Sequence, residues 1–484
     1  MPSLYQQFLE SLVPVAPEVI IIAAALAVLL LDLIVGKEYK HLLGWFSLGG
    51  VVLAAIASYK MLAVSGAFFG GTFHVDPFST FFKFVFYTAC GLGILVSINY
   101  LKVEDIQSGE YYALMLFATS GMMLMASAGD LITLYVGLEL MALSIYILAG
   151  FMRKDNRSNE AAIKYLVLGA FSSGIMVYGM SLLYGLSGTT NLSGILAFLR
   201  AADLHNPVIF LAMMMLVVSF GFKVAAVPFH MWVPDVYEGA PTSVTAFMSA
   251  GPKVAGFAVL LRIFLYTFAP LHEHATAIIS GLAVLTMAVG NIMALSQTNI
   301  KRMLAYSSIA HAGYALVGLA AGGPDGAASV MLYVLIYAVM NMGAFGVVIM
   351  LRKAGERGEE IADFAGLGKT NKLAAFLMLI FMFSLTGIPP LAGFIGKFYI
   401  FKSAIEARLL WLAVAGVLFS AISAYFYLRV IMVMYMSEPK AGFELSTSPS
   451  LAIALAISVI AVVVIGVYPT DLLNFARASI VGIM

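Results

Sequence analysis

Long apolar segments alternate with short polar connections along almost the whole chain. A helix that spans a bilayer needs about 20 mostly apolar residues, and about fourteen segments of the chain meet that requirement. The connections leave little sequence for an extramembrane domain. The pattern therefore predicts an all-α integral membrane protein with about fourteen transmembrane helices, in which residues 1–484 form a single membrane domain.

Composition supports this prediction and excludes several kinds of site. Apolar residues make up 62% of the chain and charged residues only 11%, whereas soluble proteins have about 25% charged residues. The net charge of +1, without any basic run, argues against nucleic acid as a partner. The single cysteine, Cys90, rules out an intramolecular disulfide, a cysteine-ligated zinc site and an iron–sulfur cluster held by this chain alone.

No motif in the sequence supplies energy. The segment GLGKT at 366–370 resembles the end of a phosphate-binding loop, but Asp363 occupies the position of the first glycine in that motif. We therefore expect no metal and no cofactor on this chain, which must be driven by an ion gradient or by a partner.

Basic residues cluster in alternate connections, and this alternation predicts the topology. The connections after even-numbered segments contain few basic residues, of which Arg200 and Arg408 are the clear examples. Those after odd-numbered segments carry Lys37, Lys40, Lys102, Arg153, Lys154, Arg157, Lys301, Arg302, Arg352, Lys353, Arg357, Lys369, Lys372 and Lys440. Both termini are therefore predicted on the outer side of the membrane, with the basic connections in the cytoplasm.

Four ionisable residues fall well inside apolar segments, where a charge is expensive. They are Glu139, Lys223, Lys253 and Lys397. Each costs about 2.5–3.5 kcal/mol at the centre of an inserted helix, or roughly 10 kcal/mol for the set. A structural protein has little reason to carry that cost, so the set predicts an ion pathway. His311 is a possible relay residue, although a lone histidine is equally typical of a hydrogen-bonded core.

Three other basic residues lie near the ends of apolar segments. Lys83, Arg262 and Arg429 are expected to extend along the helix surface and to place their charged groups at the membrane interface.

Prolines interrupt two of the apolar segments close to buried lysines. Pro228 follows Lys223, and Pro389 and Pro390 precede Lys397. Proline removes a backbone donor and breaks a helix, and the freed carbonyl groups are tolerated in lipid only where protein or water satisfies them. The sequence therefore predicts that helices 7 and 12 are broken.

The two broken helices occupy corresponding places in two sets of five helices. Residues 111–269 form helices 4–8 and residues 276–435 form helices 9–13, so the broken helix is the fourth of each set. Because five is odd, the second set must be inverted in the membrane, which is typical of transporters. Helices 1–3 at 1–110 and helix 14 at 451–484 flank the two repeats.

The residue types favour protons as the transported ion. A charged lysine repels a metal cation, so Na⁺ and K⁺ are poor substrates for this set. Burial makes an ammonium group costly, and a carboxylate beside it offsets that cost. Glu139 next to Lys223 would therefore act as a switch, in which separating the pair lets the lysine release its proton.

Five ordered segments resemble the antiporter-like subunits of respiratory complex I, the NADH:quinone oxidoreductase. They are GLELMALSIYILAGF, NEAAIKYLVLGAFSSGIMVYG, FKVAAVPFHMWVPDVYEGAPT, QTNIKRMLAYSSIAHAGY and SLTGIPPLAGFIGKF. Within that family the chain resembles the N-type members, because it stops soon after span fourteen. It also carries Lys397 where M-type members have a glutamate, and it opens with the N-like LVPVAPEVIIIAAALAVLLLDL.

The resemblance implies two inverted five-helix repeats and a role for each buried residue. Glu139 and Lys223 would belong to the first half-channel, Lys253 to the central axis and Lys397 to the second half-channel, with His311 as a possible relay. Electron transfer from NADH to quinone would supply the energy. Flavin, iron–sulfur clusters and quinone would belong to partner subunits, in a multi-pass complex of the bacterial inner membrane.

Two other functions remain open. A subunit of a multi-subunit cation/proton antiporter would share these motifs. A non-transporting scaffold that only holds an assembly together would carry the same apolar helices.

Overall fold

The computed structural model describes residues 12–62, 64–351, 358–439 and 445–480. Almost all of this part is helical. The first half contains α1 Ala16–Ile34, α2 His41–Lys60, α3 Pro77–Val103, α4 Gly109–Ser127, α5 Leu131–Ala149, α6 Asn156–Ser187, α7 Leu192–Ala201, α8 Pro207–Val224, α9 Trp232–Gly239 and α10 Thr242–Leu261. The second half contains α11 His272–Leu295, α12 Ile300–Ala321, α13 Gly323–Met350, α14 Leu367–Thr370, α15 Lys372–Thr386, α16 Ala392–Glu406, α17 Leu410–Met436, α18 Pro449–Val467 and α19 Thr470–Ile480.

Short elements join these helices. A six-residue π-helix, Arg262–Thr267, continues α10. Single 3-10 turns occur at Val13–Val15, Lys37–Tyr39, Phe69–Gly71, Ala269–Leu271 and Ile361–Phe364. Strands β1 Gly66–Phe68 and β2 Phe73–Val75 pair antiparallel, with Gly66 opposite Val75. This hairpin precedes α3, whose start is capped by the Asp76 carboxylate through the backbone N–H of Ser79.

The helices confirm the predicted all-α membrane class. Within the described residues, twelve helices are long and apolar enough to cross a membrane. Helix α4 and the pair α15–α16 are not among those twelve, although they lie where spans four and twelve are predicted. The count of fourteen spans therefore stays a prediction. Helices α10 and α12 are completely surrounded by protein, whereas α1, α2, α17 and α18 present large apolar side chains outward.

The helices are interrupted where the prolines predict. Helix α8 ends at Val224 and α9 begins at Trp232, on either side of Pro228. Helix α15 ends at Thr386 and α16 begins at Ala392, on either side of Pro389 and Pro390. In each broken helix, the first half is followed by a residue in the left-handed backbone conformation. These residues are Ala225 after α8, with φ 65°, and Gly387 after α15, with φ 92°.

Protein groups satisfy the backbone that these breaks free, as lipid requires. At the first break the indole nitrogen of Trp232 donates to the Phe222 carbonyl at 3.0 Å, and the Val227 N–H donates to the Thr286 hydroxyl at 2.9 Å. At the second break the Lys397 ammonium donates to the Leu385 carbonyl at 3.0 Å. The breaks therefore bring freed carbonyl groups into the vicinity of the two lysines.

The prediction that Lys83 and Arg262 extend to the membrane interface is wrong. The Lys83 ammonium lies 2.8 Å from the Glu18 carboxylate of α1, and both side chains are buried. The Arg262 guanidinium lies 2.9 Å from the Asp76 carboxylate and is also buried. Both basic groups stay inside because a carboxylate from another part of the chain is available there.

Arg429 donates to the backbone carbonyls of Leu295 and Gln297, at and just after the end of α11. Of the basic residues that predict the topology, Arg352, Lys353, Arg357 and Lys440 lie outside the described residues.

Candidate functional site

The first buried lysine, Lys223, lies in the last turn of α8, directly before the break. Its side chain is buried, and its ammonium donates to the Tyr146 hydroxyl at 3.4 Å. Glu139 is half-buried on α5 and accepts a short hydrogen bond from the Ser173 hydroxyl of α6. Tyr146 follows Glu139 by two turns on the same face of α5. The Tyr146 hydroxyl, rather than the Glu139 carboxylate, therefore contacts the Lys223 ammonium.

A glycine on α6 makes room for the Tyr146 hydroxyl. A methyl group placed on Gly169 would overlap that hydroxyl, whereas a methyl group on Gly174 of the same helix would meet nothing within 4 Å. The absence of a side chain at Gly169 therefore fixes the position of the hydroxyl beside Lys223.

Gly169→Ala is expected to lower proton pumping by the assembled complex, because the new methyl group displaces the Tyr146 hydroxyl from Lys223. Gly174→Ala is the matched control, since both changes gain the same helix propensity of about 1 kcal/mol. NADH-driven pumping in inverted membrane vesicles measures the difference. Equal pumping by the two variants would show that the position of Tyr146 does not matter.

Lys253 lies in the middle of α10, at the centre of the molecule. Its ammonium donates to the Ser308 carbonyl at 2.9 Å and makes a second, short hydrogen bond with the Ser308 hydroxyl. Ser308 belongs to α12, so this contact joins the first set of helices to the second.

His311 follows Ser308 by one turn of α12 and is enclosed by hydroxyl groups. Its Nδ1 atom lies 2.6 Å from the Tyr333 hydroxyl, and its Nε2 atom lies 3.1 Å from the Tyr427 hydroxyl. An enclosed cavity of about 10 Å³ lies between Lys253 and His311. That volume is about what one water molecule needs.

Lys397 lies on α16 just after the second break. Its ammonium donates to the carbonyls of Leu385 and Thr386 at 3.0 and 2.8 Å, and to the Ser420 hydroxyl at 2.9 Å. A groove of about 690 Å³ between α15, α16 and α17 reaches this side chain from outside.

The three buried lysines share one kind of environment. Within the described residues, Lys223, Lys253 and Lys397 each contact a hydroxyl oxygen and an aromatic ring, and none of them forms an ion pair within 4.0 Å. Lys253 and Lys397 also contact backbone carbonyl oxygens. The structure therefore differs from the predicted direct contact of Glu139 with Lys223. An ammonium without a carboxylate partner loses its charge more readily than a paired one.

A charged cavity of about 230 Å³ lies beside the first half of the site. Its centre is the Asp235 carboxylate of α9, which lies 2.7 Å from the Lys164 ammonium and 2.8 Å from the Arg302 guanidinium. Glu238, Glu160 and Arg157 are the other charged residues of its lining. These residues come from α6, α9 and α12, and we name this space the first charged cavity.

Aromatic rings separate the first charged cavity from Lys223. Tyr165 and Trp232 stack with their ring centroids 4.2 Å apart, and Tyr165 packs edge-on against Tyr146 at 4.7 Å. Sequence reasoning missed this layer and the cavity above it. The available signal was the row of charges at helical spacing in NEAAIKY and PDVYEG.

The five candidate site residues lie in a segment that matches a known transmembrane family. The family described as NADH:quinone oxidoreductase/Mrp antiporter matches residues 128–423, which include Glu139, Lys223, Lys253, His311 and Lys397. NADH-quinone oxidoreductase subunit N 2 of Rhizobium meliloti is 50% identical over 468 residues, covering 96% of this chain and 97% of the relative. This chain belongs to the subunit N family.

Solved structures agree with membership of the subunit N family. A chain of respiratory complex I from Thermus thermophilus with bound aureothin is 31% identical, with a TM-score of 0.81, covering 96% of this chain and 100% of that one. A chain of the Mrp complex from Dietzia sp. has a TM-score of 0.83 and covers 97% of each chain. At 20% identity the Mrp match shows the shared fold alone. The predicted N-type resemblance is confirmed, whereas the roles of the individual residues stay predictions.

Proposed function

We propose that this chain is the antiporter-like membrane subunit that moves protons in an NADH:quinone oxidoreductase. The observation that carries the proposal is a row of ionisable side chains in a subunit N chain, running from the half-buried Glu139 on α5 through the buried Lys223, Lys253 and His311 to the buried Lys397 on α16. Hydroxyl groups lie between several of them, namely those of Tyr146, Ser308, Tyr333 and Tyr427.

Each lysine is suited to hold a proton for a limited time. Carbonyl and hydroxyl oxygens stabilise the ammonium form of Lys253 and Lys397, while burial opposes it. Two like charges repel strongly where water is scarce. A proton that reaches one lysine therefore favours the loss of a proton from the next, with the hydroxyl groups and the central cavity bridging the distance.

In the first half-channel, Glu139 and Lys223 exchange a proton by way of the intervening polar groups. Ser173 holds the Glu139 carboxylate, and Tyr146 holds the Lys223 ammonium. The second half-channel is centred on Lys397. In this reading residues 111–269 and 276–435 are the two inverted repeats, each with one broken helix beside its lysine.

The first charged cavity is the place where the first half-channel meets water. By the predicted topology it lies on the cytoplasmic side of the bacterial inner membrane, and both termini lie on the periplasmic side. Protons enter through its carboxylates and pass the Tyr165–Trp232 layer on the way to Lys223.

Partner subunits supply the energy. Electron transfer from NADH to quinone takes place there, with flavin and iron–sulfur clusters on those chains. In the described residues of this chain, no group of three or more His, Cys, Asp or Glu side chains is arranged to hold a metal ion. The residues of this chain bind, orient and pass protons.

Deletion of the gene for this chain is expected to abolish NADH:quinone oxidoreductase activity of the membranes, because the complex needs this membrane subunit to couple electron transfer to proton movement. The rate of NADH oxidation in isolated membranes, with and without a plasmid copy, measures this. Intact NADH oxidation together with sodium-sensitive growth would instead identify a cation/proton antiporter subunit, the second candidate that the shared family allows.

A further inference from the structure

A second charged cavity, smaller than the first, lies at the end of the second set of helices. It has a volume of about 10 Å³ and is formed by the start of α13, the end of α16 and the short helix α19. Its polar lining consists of Asp325, Ser329, Tyr399, Lys402, Ser403, Glu406 and Arg477. We name this space the second charged cavity.

The two charged cavities occupy equivalent places in the two sets. The first lies between the beginning of α6 and α9, which is the second half of the broken helix. The second lies between the beginning of α13 and α16, which is again the second half of the broken helix. Because the chain crosses the membrane five times between the beginning of α6 and the beginning of α13 in the predicted order, the two cavities open on opposite faces of the membrane.

Buried hydroxyl groups lead from the second charged cavity toward the central axis. The hydroxyls of Ser329 and Ser403 are buried and lie 3.2 Å apart at the inner end of the cavity. Tyr333 follows Ser329 by one turn of α13, and its hydroxyl bonds to Nδ1 of His311. Residues one turn apart share a helix face, so Ser329 and Tyr333 lie on one side of α13, and Ser403 contacts Ser329 from α16.

An ion pair between the second set and α19 borders the second charged cavity. The Arg477 guanidinium of α19 donates to the Asp325 carboxylate at 2.8 Å. The two side chains are 45% and 57% exposed. Ion pairs this exposed add little net stability, so this one can open and close while the helices stay packed. The other charges of the cavity, Lys402 and Glu406, face each other at 3.6 Å on α16.

We propose that the second charged cavity is the outer proton-release site, and that Arg477 is the positioning residue that holds Asp325 in it. This inference rests on the proposed function and adds a site to it. A proton that has reached His311 passes along the Tyr333, Ser329 and Ser403 hydroxyls to the Asp325 carboxylate and from there to water, on a branch separate from Lys397. Opening of the Arg477–Asp325 pair frees the carboxylate to accept that proton and admits water to the serines.

Thiol labelling of the assembled complex tests this site. Ser403→Cys is introduced after the buried native thiol has been removed by Cys90→Ala, and a membrane-impermeant thiol reagent is applied to right-side-out or inverted vesicles. Ser458→Cys on α18 is the control, because Ser458 is also buried and does not line the cavity. The Ser403→Cys thiol should react from the outer face only.

Removal of the ion pair should speed this reaction. Adding Arg477→Gln should raise the labelling rate up to about fivefold, the factor that an exposed ion pair of at most about 1 kcal/mol allows. Adding Arg477→Lys instead should restore the slow rate, because it keeps the charge that holds Asp325. A role of Arg477 in packing alone would leave the rates of these two variants alike.

Three results would overturn the proposal: reaction from the inner face, a rate no higher than that of Ser458→Cys, or a rate indifferent to Arg477→Gln. Each would remove the release site and leave proton transport by the chain untouched. Failure of the proposed function itself would be seen separately, as NADH oxidation that survives deletion of the gene.

Discussion

Replacing Lys253 with methionine is expected to abolish proton pumping by the assembled complex, together with NADH oxidation. Lys253 contacts Ser308 of the second set and borders the cavity that leads to His311. We therefore expect protons that pass between the two sets to use Lys253. Loss of a positioned proton-transfer group costs about 10²–10⁴-fold in rate, and we expect a fall of at least about 10²-fold in pumping.

Methionine is chosen because its flexible apolar side chain fills the space of a buried lysine. Native gel electrophoresis of the complex checks assembly, and the initial rates of NADH oxidation and pumping are measured on the same vesicles. The matched control is Lys369→Met, since Lys369 is half-exposed and pairs with the largely exposed Glu438. Its rates should equal those of the parent.

Lys253→Arg separates charge from proton transfer at this position. Arginine keeps the positive charge but does not release its proton in proteins, so this variant should fail as Lys253→Met does. If Lys253→Met pumped as well as Lys369→Met, protons would not pass through the centre of the molecule.

The broken helices could be predicted from the sequence because their cause is local. Proline removes a donor wherever it stands, and Pro228, Pro389 and Pro390 do lie between helix halves. The burial of Lys223, Lys253 and Lys397 followed from the apolar residues on either side of each. Both inferences depend on neighbours in sequence, which a single chain displays.

Contacts between distant helices could not be predicted in the same way. Glu139 and Lys223 are opposite charges within one set, so a direct pair was the simplest expectation. The structure instead places Tyr146 at the ammonium and Ser173 at the carboxylate, because Gly169 opens a space for the tyrosine hydroxyl. The glycine gave no signal, since its effect depends on how α5 packs against α6.

The basic residues at the helix ends show the same limit. Lys83 and Arg262 looked able to reach the interface along their own helices. Their positions are decided by Glu18 and Asp76, which are distant in sequence and become neighbours only in the fold.

The two charged cavities could not be predicted from the sequence, for a related reason. The first assembles residues from 157–164, 235–239 and 302, and each segment alone is typical of a solvated helix end. The two cavities can be recognised as equivalent only when the two sets of helices are compared as inverted repeats.

Proton pumping by a complex that carries Lys223→Ala tests the central claim most directly. Lys223 is the first buried lysine after the charged cavity, and its ammonium has the Tyr146 hydroxyl as its hydrogen-bond partner. Alanine removes the ammonium group that we propose carries the proton. It leaves the neighbouring helix break in place, because Pro228 and the Trp232–Phe222 hydrogen bond are unchanged.

We predict that NADH oxidation and proton pumping both fall by about 10²-fold or more in the assembled complex, because the two are coupled through this residue. If the complex assembled and both rates stayed at the parental level, Lys223 would be a structural residue, and the buried lysines would not form the proton path of this chain.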